Sequence, residues 1–525
     1  RIADGCTPEE IARRLDYRDV ITFTIDPADA KDFDDALSFR KMRNGHLEVG
    51  VHIADVSHYV RQGTRIDQEA YTRGTSVYLV NRTIPMLPEK LCNGVCSLRP
   101  HEDKLCFSVL MEMDESAAVL KTWFGKSVIN SDARYCYEEA QEIIDTQQVS
   151  DKGNTATDAA ILELHKLATI LRNQRYKDGA INFETQEVKF QLDENAKPIG
   201  VYIKEAKEAN WLIEEFMLLA NRKVAEHVGK TSKGERKAFV YRVHDEPNPE
   251  KLNTFVEFVG KLGYKIKTSS RSALAHSYNS LFENIAGRGE EYMIDNIAIR
   301  TMSKAYYSTQ NIGHYGLGFP FYTHFTSPIR RYPDLMVHRL LESYLAGGKS
   351  ASDEEYEEYC KHCSIMEKRA ADAERTSVKY KQAEYLSDKI GQVFPALVSG
   401  VSKWGVYAEI EGNKCEGMIP IAAFRDDYYM LDEDNYQIIG RRYGKCYKLG
   451  DAVSIRVKGV DMMKKCFNSD EEKKNLLVSP LSVSTVLSMT ANGADGETRC
   501  AHGVREALSP EGVVFGIHLG ADVGE

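Results

Sequence analysis

Five aspartates stand within ten residues in the run Asp26-Pro27-Ala28-Asp29-Ala30-Lys31-Asp32-Phe33-Asp34-Asp35-Ala36. They follow directly on Ile21-Thr22-Phe23-Thr24-Ile25, an apolar and β-branched stretch that reads as a strand. Ordinary solvated acidic runs do not sit against such a strand with Phe33 and Ala36 interleaved. The pattern asks for a fold that buries the strand and gathers the carboxylates at its end. Like charges so gathered raise one another's pKa unless a cation compensates. Hard divalent ions accept carboxylate oxygens, and magnesium keeps waters and phosphate oxygens besides. Spacing alone leaves two readings open, a metal-binding cluster and a negatively charged turn. A twelve-residue calcium loop does not fit, because no glycine stands at its bend and no glutamate at its closing position.

A second unusual segment, His324-Phe325-Thr326-Ser327-Pro328-Ile329-Arg330-Arg331-Tyr332-Pro333-Asp334, follows the glycine-rich run Gly313-His314-Tyr315-Gly316-Leu317-Gly318. The guanidinium fork matches phosphate geometry and stabilises charge building on a transferring phosphoryl group. Two arginines before a helix are also ordinary surface charge, so Arg330 stays open between the two. Tyr78 and Phe183 could stack on bases, as aromatics do when single-stranded nucleic acid is held without sequence preference. Each, taken singly, reads equally as core.

The net charge of −10 would argue against a polyanionic partner, but a channel can concentrate lysine and arginine while acidic residues elsewhere hold metal. Charge therefore does not decide the partner. With 42% hydrophobic and 28% charged residues, the chain is neither disordered nor membrane-embedded in composition. No apolar stretch reaches membrane-spanning length and no leader-like segment opens the chain, which points to the cytoplasm. Among the 11 cysteines, Cys92 with Cys96 and Cys360 with Cys363 are closest, and neither pair has a matching second pair at zinc-site spacing. The chain begins at Arg1 in mid-protein style, as a fragment lacking upstream domains would.

Periodicity predicts strands over residues 21–25 and 47–53, and helices over 158–176, 211–226, 335–346 and 355–388. From residue 391 onward the composition turns to short strand-like runs punctuated by glycine, the signature of a small β-barrel. The expected class is α+β: a mixed α/β domain followed by a small β-barrel.

Three segments together resemble the catalytic domain of the ribonuclease II/ribonuclease R family, with the closer likeness to its bacterial ribonuclease R branch. They are residues 24–37, residues 73–78 with Ile84-Pro85-Met86-Leu87-Pro88, and residues 324–340. The likeness covers residues 15–389, after a lead-in at 1–14. It implies a processive, hydrolytic 3′-to-5′ exoribonuclease that degrades single-stranded or 3′-tailed RNA to nucleoside 5′-monophosphates and acts as a monomer. It also implies that Asp26, Asp32, Asp34 and Asp35 hold magnesium, with manganese as a substitute, and that Asp34 is most critical for the chemistry. Asp29 falls outside the set. Arg330 corresponds to the arginine that helps cleave the scissile phosphate, Tyr78 to the clamp on the terminal nucleotide, and Phe183 to the opposite stacking face. Glu215 or its neighbour Glu214 corresponds to a carboxylate contacting RNA.

Residues 390–461 resemble the family's OB-fold RNA-binding domain, most closely at Gly400-Val401-Ser402-Lys403-Trp404-Gly405-Val406-Tyr407. Trp404 and Tyr407 would form a stacking surface, the bland alternative being that Trp404 plugs the barrel. The tail, residues 462–525, departs from that pattern. Residues 462–498 are similar to a piece of a serpin, best at Asn475-Leu476-Leu477-Val478-Ser479-Pro480-Leu481-Ser482. A serpin needs hundreds of residues and a reactive loop, so inhibition does not follow.

Overall fold

The structure, a computed structural model, describes residues 6–148, 155–183, 187–230, 236–461 and 516–521. Nine strands open the chain: β1 (Leu15–Asp16), β2 (Thr22–Asp26), β3 (Asp35–Lys41), β4 (Leu47–Ala54), β5 (Val77–Leu79), β6 (Arg82–Ile84), β7 (Asp103–Met113), β8 (Val119–Asn130) and β9 (Ala133–Cys136). Seven of them form one sheet in the order β1-β8-β7-β4-β3-β2-β9, and β5 with β6 make a separate hairpin. The inner pairings from β2 through β8 are antiparallel, while β1 and β9 join the edges in parallel.

Both faces of the central strands are covered, which is why β4, Leu-Glu-Val-Gly-Val-His-Ile-Ala, is almost continuously apolar and buried rather than alternating. Gly50 in β4 permits a close approach, since an added Cβ would lie 2.3 Å from the Ser38 hydroxyl. The helices Tyr137–Thr146, Thr155–Lys177, Glu208–Gly229 and Tyr332–Leu345 contribute Ile143, Leu164, Phe216 and Leu335 to the core of this sheet. A second core unites the helices Pro249–Lys261, Arg271–Ile285 and Glu291–Thr301 around Phe255, Tyr278 and Ile294. The α+β reading of this region holds.

The helix Asp353–Ser387 is the longest among the described residues, and Ser352 caps it by accepting the Glu355 N–H at 3.2 Å. Its Glu367 pairs with Arg242 at 2.7 Å, and its Glu374 accepts the Tyr78 N–H at 2.8 Å. One rigid element thus fixes loops from distant parts of the sequence.

The OB-fold β-barrel expected over residues 390–461 is corrected: those residues close no barrel by themselves. Val393–Ser402, Gly405–Ile410 and Glu416–Pro420 form an antiparallel meander, and Ala452–Asp461 returns along Val393–Ser402. Among the described residues, Glu416–Pro420 and Ala452–Asp461 do not pair with each other. Gly516–Ala521, from well beyond the expected module, lies between them. It runs antiparallel to Ala452–Asp461 and meets Glu416–Pro420 through one parallel pair, Met418 with His518. The chain between the two unpaired strands goes instead into a second sheet of Tyr429–Asp432, Gln437–Gly440 and Cys446–Lys448. That diversion leaves the ring open within residues 390–461. The serpin-like run at 462–498 lies outside the described residues.

Candidate active site

The acidic run is the connection between two paired strands. β2 ends at Asp26 and β3 begins at Asp35, with Thr22 opposite Ser38 and Phe23 opposite Leu37. Continuing that register sets Asp26 across from Asp34, so the carboxylates converge at one end of the sheet. The intervening loop is tied down from afar. The Ser97 hydroxyl donates to the Lys31 carbonyl at 2.8 Å and accepts the Phe33 N–H at 3.0 Å, and Arg134 donates to the carbonyls of Pro27 and Ala28 at 2.8 and 2.9 Å. Asp29 is exposed, whereas Asp34 is 4% exposed.

Arg330 arrives on the turn before the helix Tyr332–Leu345. Asp334, fully buried, shapes that turn by accepting the Ser327 N–H and the Arg331 guanidinium, both at 2.8 Å. The turn then presents the Ile329 N–H to Asp34 at 2.9 Å and the Arg330 guanidinium to the other Asp34 oxygen at 3.6 Å. Residues 74–76 are stitched alongside: the Ser76 N–H donates to the Arg330 carbonyl at 2.9 Å, and the Tyr332 N–H to the Gly74 carbonyl at 3.0 Å. Gly74 holds a positive φ of 69° at the end of its helix, which lets the chain turn into this pairing. Tyr78, on β5, is therefore carried to the site half-exposed, and its hydroxyl is pushed up to about 12, chiefly by the buried surroundings of its inner side, against the opposing charge of Arg330.

The electrostatics of the cluster are those of anions short of partners. Burial pushes Asp34 well above the usual carboxylate range, with Asp35 and Asp32 adding to the shift and Arg330 and the Ile329 N–H opposing it. Asp26 is raised by burial and by Asp34 and Asp32, against the Thr24 hydroxyl and Arg134, and Asp35 by burial and by Asp26, against Arg330 and Arg331. One oxygen of Asp26 is buried without a partner in good hydrogen-bond geometry, the Thr24 hydroxyl being the side chain that acts on that carboxyl. Native interiors seldom leave such atoms unmet. Hard oxygen donors, excess negative charge and an orphaned buried oxygen fit a divalent cation such as magnesium. Even so, among the described residues no three His, Cys, Asp or Glu side chains stand close enough to form a ready-made ligand set.

Of the residues singled out in the sequence, Asp26, Asp32, Asp34, Asp35, Arg330 and Tyr78 act on one another in this one place. The others are held by different partners. Phe183 packs on Phe282 and Tyr278, ring centroids 5.4 and 6.4 Å apart, at the edge of the second core. Glu215 is 3% exposed and bound to Arg175 at 2.5 Å, while Glu214, half-exposed, reaches the same guanidinium at 3.2 Å. Trp404 sits exposed on the turn between two strands of the C-terminal module, with the Lys403 ammonium 5.0 Å from its ring, so it does not plug a barrel. Tyr407 is half-buried in the adjoining strand. Reading the sequence missed Arg134, Ser97 and Tyr137, the last raised by burial beside Asp35 and Asp26. Each stands more than 60 residues from its partner, and no local spacing signals such a contact.

Comparison with known proteins places this geometry. The RNB domain family model matches residues 14–347, the S1 RNA binding domain residues 387–467, and the serpin (serine protease inhibitor) family residues 456–511. Ribonuclease R of Thermotoga maritima is 41% identical over 467 residues, covering 87% of this chain and 64% of that protein. Ribonuclease R 1 of Lactococcus lactis is 38% identical over 462 residues, covering 86% and 56%. Among solved structures, Mycoplasma genitalium RNase R in complex with ribose methylated single-stranded RNA superposes with a TM-score of 0.80 at 28% identity, covering 87% of this chain and 72% of that one. The chain belongs to the RNB-domain ribonuclease R family. It spans between 56% and 64% of the length of these two curated relatives.

Proposed function

We propose that the chain carries the catalytic part of a processive, hydrolytic 3′-to-5′ exoribonuclease acting on single-stranded or 3′-tailed RNA and releasing nucleoside 5′-monophosphates. The observation that carries this reading is the convergence of the buried Asp34 and the half-buried Asp26 and Asp35, all undercompensated, on the turn that presents Arg330. The ribonuclease R solved with single-stranded RNA, at a TM-score of 0.80, supports the choice of polymer.

Asp26, Asp32, Asp34 and Asp35 would hold magnesium or manganese, which when bound supplies an activated water and charge compensation on the leaving oxygen. The chain's own residues do the positioning. Arg330, 43% exposed, donates to the Ser327 hydroxyl at 2.9 Å and faces Asp34, and its exposed edge would meet the scissile phosphate as charge builds there. Tyr78 stacks on the terminal base, held in place by Glu374 through its backbone N–H. Phe183 offers the second stacking face, Glu214 a contact to RNA, and the buried Glu215 orients Arg175 beside it. Residues 15–389 form the catalytic domain in this reading, and residues 390–461, with Trp404 and Tyr407, lead the strand toward it. No described helix is long and apolar enough to cross a membrane, and the described cysteines are all free; the cytoplasmic setting and the monomeric state in this reading follow from the family resemblance.

A second reading, an RNA-binding relative without hydrolysis, is favoured by the absence of a ready-made ligand set among the described residues. A 5′-labelled single-stranded RNA with magnesium separates the two. A ladder shrinking from the 3′ end, absent with Asp34→Asn, supports the exoribonuclease. RNA held by both proteins and shortened by neither sinks it.

A further inference from the structure

Of the large apolar side chains among the described residues, the four most exposed all lie in the C-terminal module: Tyr428 at 77%, Tyr443 at 72%, Trp404 at 68% and Met430 at 60%. Trp404 belongs to the meander already described. The other three belong to the second sheet and its turns, outside the meander.

That sheet has two unlike faces. Beneath it, Tyr429, Tyr447 and Phe424 form an aromatic core with ring centroids 5.0 to 5.7 Å apart. On the strand Tyr429–Asp432 the side chains alternate, so Tyr428 and Met430 lie on the side opposite the buried Tyr429. The Arg441 N–H donates to the Tyr428 carbonyl at 2.8 Å, which makes Arg441 the cross-strand neighbour of Tyr428. The following turn brings Arg442 and Tyr443 to the same end.

The arrangement is built rather than frayed. The Asp427 carboxylate accepts the N–H groups of Tyr428, Arg442 and Tyr443 at 2.7 to 2.9 Å, tying both exposed tyrosines to one anchor. Gly440 makes room for that anchor, because an added Cβ would lie 2.5 Å from the Asp427 oxygen. The anchor's charge is absorbed by backbone donors, and its pKa lies below the ordinary carboxylate value for that reason, against a burial effect of the opposite sign. Arg425, Arg441 and Arg442 are exposed, and none forms an ion pair within 4.0 Å among the described residues, whereas Lys445 is paired to Asp426 at 3.3 Å. Exposed rings interleaved with exposed guanidinium groups, of which Arg442 feels the Asp427 charge without a close ion pair, match the alternation of base and phosphate along a single strand.

We propose that Tyr428, Tyr443, Arg441 and Arg442 form a second docking surface for single-stranded RNA, with the tyrosines stacking on bases and the arginines on phosphates. It is separate from the Trp404 turn and from the carboxylate cluster. It deepens the exoribonuclease reading and rests on it only for the choice of RNA as the polymer.

The test measures binding of a 5′-fluorescent 20-nucleotide oligouridylate to the full chain in EDTA, where hydrolysis does not intervene, across a salt series. Tyr428→Ala with Tyr443→Ala is expected to weaken binding by about tenfold or more, and Tyr428→Phe with Tyr443→Phe to restore it. Arg441→Gln with Arg442→Gln is expected to lower the slope of log affinity against log salt by about 1.4, two phosphate contacts at about 0.7 each. The arginine pair carries the test if the tyrosine-to-alanine protein does not fold. Unchanged affinity and unchanged salt slope overturn the proposal, as does a parent protein that binds no RNA. Shortening of the RNA on adding magnesium is scored separately. Loss of binding in the variants with no shortening by the parent supports this surface and sinks the catalytic reading alone.

Discussion

Two buried aspartates at the same end of the main sheet have opposite electrostatic fates. The Ala54 N–H donates to the Asp34 carbonyl at 2.9 Å, and Asp55 is the next residue, so the two lie close together. Asp55 receives the Arg14 guanidinium at 2.8 Å, the Lys126 ammonium at 2.7 Å and the Ser57 hydroxyl at 2.8 Å. Burial alone would raise its pKa, but Lys126 and Arg14 hold it well below the usual range. Asp34 receives one backbone N–H and a guanidinium no nearer than 3.6 Å, and burial drives it the other way. A carboxylate that serves the fold is given its cations by the chain. In the function proposed above, one left short of them in the same interior would be kept for a cation or a substrate that arrives from outside.

That contrast can be broken by exchanging charge for amide at each position. Asp34→Asn is expected to lower the rate of RNA shortening by about 10³-fold or more while the thermal midpoint holds or rises, since it removes an undercompensated buried charge. A midpoint that collapses together with activity would show Asp34 to be structural like Asp55. Asp55→Asn should do the reverse, costing about 3–5 kcal/mol of stability by stranding Arg14 and Lys126, measured by denaturant unfolding at pH 7. Because the folded pKa of Asp55 is depressed, its contribution is present above the ordinary carboxylate value and is lost as pH falls below it. The deficit of the variant should therefore shrink below about pH 4, and a deficit independent of pH would refute the ion-pair account.

Smaller effects sharpen the comparison. Magnesium at 100 times its dissociation constant should stabilise the parent by about 2.7 kcal/mol. Asp34→Asn should lose most of that shift and Asp55→Asn should keep it. Equal shifts in all three proteins would separate magnesium binding from the cluster. The least effect is expected at Tyr78: Tyr78→Ala should raise KM for a short single strand by about tenfold, and Tyr78→Phe should leave it near the parent value, because stacking needs the ring rather than the hydroxyl. A Tyr78→Phe enzyme as impaired as Tyr78→Ala would assign the role to the hydroxyl.

Much of the catalytic region was legible in the chain. The strand before Asp26, the helix bearing Glu215 and the helix after Arg330 follow from apolar periodicity, which records burial directly. The acidic run and the arginine motif were visible because they violate ordinary composition. The expected barrel failed for an equally physical reason. Short strands of even spacing specify pairing but not which strand closes a ring, and here the closing position is taken by Gly516–Ala521 while residues 429–448 form a sheet of their own. Glu215 shows the same limit on a smaller scale: its place on the helix is periodic, but its pairing with Arg175 depends on how two helices pack.

The sequence by itself determined the donors: hard carboxylate oxygens at the end of a strand, an arginine before a helix, and candidate aromatics. Only the tertiary structure decided which of them are left wanting. Asp29 and Asp34 are the same residue five positions apart, and Asp55 is the same residue again, yet one is solvated, one undercompensated and one fully paired. A side chain's chemistry is local, but its charge is balanced by whatever the fold packs against it. In this protein those partners come from tens to hundreds of residues away along the chain.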